Sequence, residues 1–356
     1  MNKYFEKKPG VWFSVSDVVS VEYNDLQVQA ELCRGLERKR SRICAHSTEE
    51  DRMQEMFIAF SGDSYIKPSR HTNFVESFHL ISGRGKYVFF NHQGDVISDV
   101  RLGNYQSYLP FYVRIDSNVW HTFVPYTADV VAHEVCQGPF LVNNTEFSEW
   151  SPDVDSHDSI NRYLEDLTYR PVDIVKQSQW VRISEEAYQI AYSPVISISR
   201  ADIDRLLDEV KYTRRDRIRV LVHPDVSHPL HEMFVVYKKT TYVMPNKHIG
   251  KDESLHVLQG EADFIFFDNN GGVINVVQLS SDDKSKSFFV RVPKEIYHTI
   301  IMRSEILVMH EVTPGPFVRE DTVWAEWAPN GDNENQTSEY MYDLEKKIKA
   351  FLFSER

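Results

Sequence analysis

Two segments of the sequence place a histidine, a glutamate and a more distant second histidine at matching spacing. In the segment PNKHIGKDESLHVLQGE, His248 precedes Glu253 by five residues, and His298 follows downstream. The same spacing occurs earlier in the chain, at His71, Glu76 and His121. Two imidazoles and one carboxylate that converge can hold Fe, Mn, Ni or Zn and leave coordination positions open. The spacing therefore predicts a divalent transition-metal site in each segment.

Strand alternation supports an inward position for the glutamate. Glu253 opens an apolar run in which Leu255 and Val257 share its face, so the chain must turn between His248 and Glu253 for the two side chains to meet. The alternative is a degenerate barrel kept for packing, with histidines that only satisfy local contacts. Packing alone gives no reason for both segments to keep the same three residues, which favours the metal site.

The two segments belong to a tandem duplication. With an offset of 177 residues the halves align without a gap over a long stretch: QEMFIAF on HEMFVVY, VRIDSNVWHTF on VRVPKEIYHTI, and AHEVCQGPF on MHEVTPGPF. A period of this length corresponds to a complete domain rather than to a solenoid unit. We predict two domains, residues 1–176 and 177–356.

The fold class follows from short β-rich runs separated by turn signals, such as YVFFN before HQGD and DFIFFD before NNGG. Helical periodicity is confined to flanking segments, as in residues 198–215 and 338–353. This pattern predicts a mainly β protein in which each repeat forms a sandwich or a small jelly-roll barrel.

The segment that contains His248, Glu253 and Gly260 resembles the first sequence motif of the cupin superfamily, which has the pattern G(X)5HXH(X)3-4E(X)6G. The second cupin motif ends in a histidine. The match covers Pro245 to Gly260 and then Pro293 to His298. The resemblance implies two tandem cupin barrels with short flanking helices. Asn246 stands where a cupin has its first histidine, and Ser69 stands there in the first copy. Asn246 can offer a carbonyl oxygen as a fourth ligand, so the second copy resembles the cupin site more closely.

Flanking signatures are similar to those of WbuC-type cupin-fold metalloproteins, which are associated with bacterial O-antigen and polysaccharide gene clusters. The similarity rests on an N-terminal helix followed by His46 or His223, on the HEV and GPF segments, and on the EW(S/A)P tail. It implies a sugar-type ligand and leaves the reaction open.

Further histidines are candidates for chemistry or substrate contact. His133 and His310 lie between valines in VAHEV and VMHEV, and a barrel-facing imidazole there would act as general base or extra ligand. We expect their strand to form a hairpin with the strand of His121 or His298. Glu134 and Glu311 occupy the opposite face and compete for the same role. Three others either line the pocket mouth and bind substrate or serve as turn residues: His46, His223 and His231.

Composition limits the partners. A formal net charge of -13 disfavours nucleic acid and anionic lipid, and no apolar run reaches the length of a membrane helix. Cys33, Cys44 and Cys136 show no CxxC spacing, which is typical of a reducing, cytoplasmic compartment. A monomer and a homodimer are both compatible with these features.

These observations lead to three hypotheses of function. The first is a metal-dependent isomerase or epimerase that acts on a sugar or nucleotide-sugar in polysaccharide biosynthesis. The second is an Fe(II)-dependent oxygenase, because two histidines and one carboxylate leave positions for substrate and O2. The third is a non-catalytic carbohydrate-binding or regulatory cupin.

Overall fold

The computed structural model describes residues 3–170 and 179–354. The predicted domain boundary, between residues 176 and 177, lies outside the described residues. Among the described residues, no helix is long and apolar enough to cross a membrane. The three cysteines are buried and form no disulfide.

Elements of the first repeat are mostly short strands that alternate with tight turns. In chain order they are β1 (Tyr4–Lys8), β2 (Val11–Ser14), β3 (Val19–Glu22), α1 (Tyr23–Cys33), β4 (Arg40–Cys44), β5 (Met53–Ser61), β6 (Ser69–His71), β7 (Glu76–Ser82), β8 (Arg84–Phe90), β9 (Val96–Gly103), β10 (Pro110–Ile115), β11 (Trp120–Pro125), β12 (Asp129–Gln137), a 3-10 turn (Val142–Asn144), β13 (Thr145–Phe147) and α2 (His157–Tyr169).

The second repeat contains the same succession of elements. They are β14 (Trp180–Ser184), β15 (Ala187–Ile190), β16 (Val195–Ser199), α3 (Arg200–Glu209) with a 3-10 turn (Val210–Tyr212), β17 (Arg217–Leu221), β18 (Leu230–Lys238), β19 (Asn246–His248), β20 (Glu253–Gln259), β21 (Glu261–Phe267), β22 (Val273–Ser280), β23 (Ser287–Val292), β24 (Tyr297–Met302), β25 (Ile306–Pro314), a 3-10 turn (Arg319–Asp321), β26 (Thr322–Trp324) and α4 (Glu334–Ser354).

Two sheets build the first barrel. One has the strand order β1-β2-β4-β5-β12-β7-β10-β16, and the other has the order β13-β6-β11-β8-β9. Their inner faces share one apolar core, because Ile58 and Phe78 of the first sheet pack in a cluster with Tyr87 and Phe123 of the second. This is the layered packing expected of a jelly roll.

The second barrel is one continuous sheet, in the order β14-β15-β17-β18-β25-β20-β23-β22-β21-β24-β19-β26. A single pair between Leu279 of β22 and Ser287 of β23 continues the sheet between its two halves. Leu255, Phe264 and Ile300 are among the buried residues of its core. The prediction of a mainly β protein with two tandem jelly-roll domains and short flanking helices is confirmed.

Each compact unit contains a strand that the sequence repeat alone would assign to the other half. The first unit includes residues 190–205, in which β16 pairs with β10. The second includes residues 17–23, in which β3 pairs with β23. The two segments are equivalent under the repeat, so each barrel gains an edge strand of the same kind.

The glycine that closes the first cupin-like motif allows a sharp turn between β20 and β21. Gly260 has a φ of +94°, and a Cβ there would lie 2.3 Å from Ile306 O. Gly83 has the same role in the first barrel, with a φ of +85° and Asp129 O at 2.4 Å from such a Cβ. Backbone sterics therefore require glycine at both positions.

Gly260→Ala is expected to destabilise the second barrel by about 1–3 kcal/mol, since it combines an unfavourable φ with a backbone clash. Gly250→Ala is the matched control, because Gly250 has a φ of +70° with no atom within 4 Å of its Cβ position. Thermal unfolding monitored by circular dichroism should show a larger loss for Gly260→Ala. Equal losses would mean that the clash with Ile306 is relieved without strain.

Candidate metal centre

In the second barrel, one carboxylate lies between two imidazoles. Glu253 Oε2 is 3.0 Å from His248 Nε2, and Glu253 Oε1 is 2.8 Å from His298 Nε2. The ligand atoms of the three residues lie within 4.8 Å of one another. We call this group the second triad.

The first barrel repeats this arrangement. Glu76 Oε2 is 3.0 Å from His71 Nε2, and Glu76 Oε1 is 2.8 Å from His121 Nε2. The same limit of 4.8 Å applies to the three ligand atoms. We call this group the first triad. Two independent copies of the sequence thus build the same donor geometry.

Three strands bring the residues of each triad together. His248 ends β19, the chain turns at Gly250, and Glu253 begins β20 with its side chain on the face of Leu255 and Val257 in the barrel core. His298 lies on β24, in register with Asn246 of β19. The alternation argument from sequence therefore describes the observed inward position of the glutamate.

Hydrogen bonds at Nδ1 fix which nitrogen of each imidazole faces the carboxylate. His298 Nδ1 lies 2.9 Å from the carbonyl oxygen of Ile296, and His121 Nδ1 lies 2.8 Å from that of Val119. A carbonyl oxygen only accepts, so Nδ1 carries the proton and Nε2 of the neutral ring presents a lone pair. The other two histidines have a threonine hydroxyl at Nδ1: Thr322 for His248 at 3.2 Å and Thr145 for His71 at 3.1 Å.

This donor set fits a metal cation. Nε2 lone pairs and carboxylate oxygens are all acceptors, so their approach to about 3 Å requires a cation between them, either a proton or a metal ion. Burial raises the pKa of Glu253, but His298 and His248 outweigh this effect and hold the pKa of the carboxyl well below its usual range. The carboxylate is therefore ionised, which is the form that ligates metal.

The pKa of His298 shows the other side of the same interaction. Burial lowers it, and the Glu253 carboxylate outweighs burial, so the net pKa is raised. His121 behaves in the same way beside Glu76. The carboxylate of each triad thus favours a positive charge at the neighbouring imidazole nitrogens, which a proton or a divalent cation supplies.

Thr322→Val is expected to weaken metal binding in the second barrel about 10–100-fold, because the Nδ1–H of His248 loses the partner that orients its ring. Thr145→Val should have the same effect in the first barrel. Competition with a chromophoric chelator measures both changes. Thr168→Val is a matched control, since its hydroxyl donates to a backbone carbonyl oxygen, Leu164 O in helix α2. Unchanged affinity in both variants would exclude an orienting role for these hydroxyls.

The residue in place of the first cupin histidine lies beside each triad. Asn246 is buried, faces His298 in register, and donates from Nδ2 to Met244 O at 3.2 Å. Ser69 faces His121 in the same way. Asn246 as a fourth ligand stays a proposal.

The predicted barrel-facing position of His133 and His310 is wrong. His133 lies in register with Phe57 and His79, stacks on Phe57 at 4.7 Å, and has Nε2 3.2 Å from Glu55 Oε1. His310 stacks on Phe234 at the same distance of 4.7 Å. Both imidazoles occupy the sheet face opposite the triads, so neither can act on a substrate held there.

The expected hairpin is also absent from the described strands. Strand β12, which carries His133, pairs with β5 and β7, whereas β11, which carries His121, pairs with β6 and β8. The short loop between them crosses from one sheet to the other. A jelly roll makes such crossings, and residue count in the loop does not reveal them.

Glu134 on β12 and Glu311 on β25 face inward. Glu134 is in register with Met56 and Phe78 of the first barrel core, and Glu311 is in register with Leu255 of the second. Burial and the nearby Glu76 carboxylate raise the pKa of Glu134 to about 7. Burial and Glu253 raise the pKa of Glu311 in the same direction. Each triad therefore has a second buried carboxyl group near it, with a raised pKa.

The three histidines predicted to line the pocket mouth are not members of either triad. They are His46, His223 and His231. His46 Nδ1 lies 2.8 Å from Glu55 O and 3.0 Å from Glu55 N, and His223 binds the backbone of Glu232 equivalently. These backbone contacts are those expected if His46 and His223 are turn residues. His231 stacks on His223 at 4.0 Å and lies in register with Thr313. Substrate contact by any of the three stays a proposal.

Comparison with known proteins supports the fold. A family model described as a domain of unknown function (DUF6016) matches residues 21–102 and again residues 198–279, the same segment of each repeat. No curated protein matches the sequence. Salicylate 1,2-dioxygenase from Pseudaminobacter salicylatoxidans has a similar structure, with a TM-score of 0.57, 14% identity and 85% of each chain covered.

Two further structures are similar at lower identity. A variant of that dioxygenase in complex with gentisate has a TM-score of 0.54 at 13% identity, covering 84% of this chain and 82% of its own. An oxalate decarboxylase from Bacillus subtilis has a TM-score of 0.43 at 12% identity, covering 90% and 76% of the two chains.

The fold is that of two tandem cupin-type jelly-roll barrels, each of which contains one triad. The tandem cupin architecture that the sequence motif implied is confirmed. Both triads fit a divalent transition metal, in agreement with the cofactor expected from the sequence.

Proposed function

We propose that this bicupin is a metal-dependent isomerase or epimerase in which an inward glutamate moves a proton on the substrate. The observation that carries the proposal is the placement of Glu311 and Glu134 on the inner face beside the triads, each with a raised pKa. A carboxyl with a pKa near the working pH is suited to both taking up and returning a proton.

His248, Glu253 and His298 would hold the metal in the second barrel, and the equivalent residues would hold it in the first. A divalent metal held there would polarise a carbonyl oxygen of the substrate as a Lewis acid. Glu311 would take the proton from the carbon adjacent to that carbonyl and return it to the carbonyl carbon, while the proton of the adjacent hydroxyl passes to the carbonyl oxygen. Return of the proton to the first carbon, after the planar intermediate has turned its other face to Glu311, would give the epimer. The apolar core behind it would exclude water from the exchanged proton.

The substrate class is proposed from charge and from the WbuC-type resemblance. Arg42 lies in register with Ile58 of the barrel core, and its charge acts on Glu134. Arg219 has the same position relative to Glu311. A substrate with an anionic group, such as a sugar phosphate or a nucleotide-sugar, would meet these guanidinium groups. Its place in bacterial O-antigen or polysaccharide biosynthesis belongs to the same proposal.

An Fe(II)-dependent oxygenase is the second candidate. Two observations favour it: the ligand set of two histidines and one carboxylate, and the aromatic lining next to the first triad, where the Tyr87 ring lies 5.8 Å from His121 and 5.2 Å from Phe78. The salicylate dioxygenase resemblance supports the fold alone.

One experiment separates these candidates. The metal-loaded protein is incubated in D2O with a panel of sugar phosphates and nucleoside-diphosphate sugars, and proton NMR follows exchange at carbon. Isomerisation requires deuterium incorporation that Glu311→Gln and Glu134→Gln remove. Parallel incubations with aromatic carboxylates in an oxygen electrode test the oxygenase. O2 uptake without deuterium exchange would replace the first proposal with the second.

A non-catalytic sugar-binding or regulatory cupin is the remaining outcome. It would give ligand binding by calorimetry without exchange or O2 uptake, and binding would persist in a His248→Ala, His298→Ala variant. Homodimer formation and a cytoplasmic location stay predictions.

A further inference from the structure

We infer that the first barrel carries a separate binding cavity for a planar aromatic ring that bears an anionic group, such as an aryl carboxylate or a nucleoside phosphate. The cavity lies where the backbone holds the two histidines of the first triad. The inference goes beyond the proposed function and does not depend on it.

A cavity of about 410 Å³ opens at one end of the first barrel. Its walls come from residues 89–92 and 97–98 around the turn between β8 and β9, from residues 118–120 at the start of β11, and from residues 193–195 at the start of β16. The last segment belongs to the first compact unit, where Asp116 N donates to Pro194 O at 2.9 Å. A volume of this size is typical of a site for a small molecule.

Aromatic side chains contribute to the cavity wall. Phe89, Phe90 and Trp120 line it, and all three are otherwise buried. Trp150 packs against two of them, with ring centroids 4.8 Å from Phe90 and 5.9 Å from Trp120. Packed rings keep their positions, so this wall is formed before a ligand arrives. A planar aromatic ring is the ligand group that such a wall favours.

His92 supplies a hydrogen-bond donor at the cavity. Its Nδ1 accepts from Trp120 Nε1 at 3.3 Å, and Arg70 Nη1 lies 3.5 Å from the same nitrogen. Both partners only donate, so Nδ1 carries the lone pair and Nε2 of the neutral ring carries the proton. Arg70 stacks over Trp120 at 4.9 Å and pairs with Glu146 at 2.7 Å. A carboxylate or phosphate oxygen of a ligand would accept from His92 Nε2.

The charge of the lining distinguishes this cavity from the corresponding part of the second repeat. The described residues that line the cavity include no aspartate or glutamate. Three of their equivalents in the second repeat are acidic, namely Asp268 in place of Asn91, Glu295 in place of Asn118, and Asp17 in place of Pro194. Carboxylates at these positions repel an anionic ligand. The first barrel is therefore the one suited to an anion.

The cavity also adjoins the backbone that holds the first triad. Asn118 N donates to the carbonyl oxygen of His71 at 2.6 Å, and the carbonyl oxygen of Val119 accepts from His121 Nδ1 at 2.8 Å. Asn118 and Val119 both line the cavity. A ligand there would contact the segment that positions both histidines, without being a ligand of the metal itself.

Asn118→Asp places one negative charge at the cavity with little change in shape. Asn118 has a φ of +65°, a conformation that aspartate also tolerates. Its side chain is exposed, and its contact with His71 is made by the backbone. Asn333→Asp is the matched control, because Asn333 is also exposed and aspartate can replace it as the acceptor for Asn335 N before α4.

The test is isothermal titration calorimetry of the full chain with 2-naphthoate, its uncharged amide, uridine monophosphate and uridine. We expect one site per chain and at least about tenfold weaker binding of each uncharged probe than of its charged counterpart. Asn118→Asp and His92→Phe should each weaken the charged probe about tenfold. Asn118→Asp should leave the uncharged probe unaffected, and Asn333→Asp should bind as wild type does.

The two sources of such a ligand give different results. Binding of naphthoate alone supports the site and identifies an aryl carboxylate, and binding of uridine monophosphate alone supports it and identifies a nucleoside phosphate. Binding of neither charged probe would overturn the inference, as would unchanged affinity in both Asn118→Asp and His92→Phe. Two equivalent sites per chain would contradict the restriction to the first barrel. These results are independent of deuterium exchange and O2 uptake, which test the proposed function.

Discussion

Replacing Glu253 with alanine is expected to lower the metal content of the purified protein from about two ions per chain to about one. Glu253 supplies the carboxylate of the second triad, and each of its two oxygens lies near one imidazole. Without it, two neutral imidazoles remain, and they bind a divalent ion weakly. Glu76→Ala should remove the other ion, and the double variant should contain none.

Inductively coupled plasma mass spectrometry measures this change on protein purified without chelator or nickel resin. Loss of a buried carboxylate that is paired with two histidines also destabilises the barrel, so Glu253→Gln serves as a second, nearly isosteric variant. Glu305→Ala is the control, since this exposed carboxylate pairs with Lys239 at the surface. Metal retained in both Glu253 variants, or no metal in wild type after reconstitution with Fe, Mn, Ni and Zn, would contradict the site.

Substituting Glu311 with glutamine is expected to reduce turnover by about 10²–10⁴-fold, the usual contribution of a general acid or base, while metal content stays unchanged. Glutamine keeps the shape of the side chain and cannot exchange the proton. Glu311 is not one of the three triad ligands, so its effect on metal content separates a proton-transfer role from a ligand role. A variant that loses metal along with activity would argue for a ligand role instead.

The equivalent substitution in the first barrel, Glu134→Gln, can be tested without a substrate, by measuring the stability of the folded protein. The pKa of Glu134 is raised to about 7 in the folded metal-free protein, above the ordinary carboxyl value of the unfolded chain. The folded state therefore binds the extra proton between these two pKa values, and stability is lost as pH rises through about 7. Glu134→Gln removes this loss and is expected to raise the stability of the metal-free protein at pH 8 by at most on the order of 3 kcal/mol.

Thermal unfolding of wild type and Glu134→Gln at pH 5 and pH 8 measures this difference. At pH 5 the carboxyl and the amide are both neutral, so the two proteins should unfold at nearly the same temperature. At pH 8 the variant should be the more stable one. A gap that is the same at both pH values would mean that Glu134 does not titrate in this range.

The local sequence pattern was sufficient to predict the inward position of Glu253 and the turn that precedes it. Strand period placed Glu253 on the core face with Leu255 and Val257, and the odd offset from His248 required the turn that Gly250 makes. The recurrence of the same three residues in both repeats favoured a metal site over ordinary histidines, and the structure brings these residues together. These inferences depend on residues close in sequence or on the comparison of two copies, which sequence alone supplies.

The inward face of strands β12 and β25 could not be assigned in this way. Val130 and Val131 are both buried, so hydrophobic alternation does not distinguish the two faces, and His133 and Glu134 remain equivalent candidates. The register with β5 and β7 decides the question, because it aligns Glu134 with the core residues Met56 and Phe78. The sequence therefore predicted His133 and His310 as the inward residues, whereas the strand register places the neighbouring glutamates there.

The sequence by itself determined the duplication, the mainly β fold and the residue types of two metal-compatible triads, since all three are written in spacing and periodicity. Only the tertiary structure decided which strands are neighbours. It assigned residues 17–23 and 190–205 to their barrels, and it brought Thr145 and Thr322 to the histidines of the triads and Cys136 next to Glu76. Strand pairing between distant segments depends on packing of the whole sheet, and no local pattern encodes it.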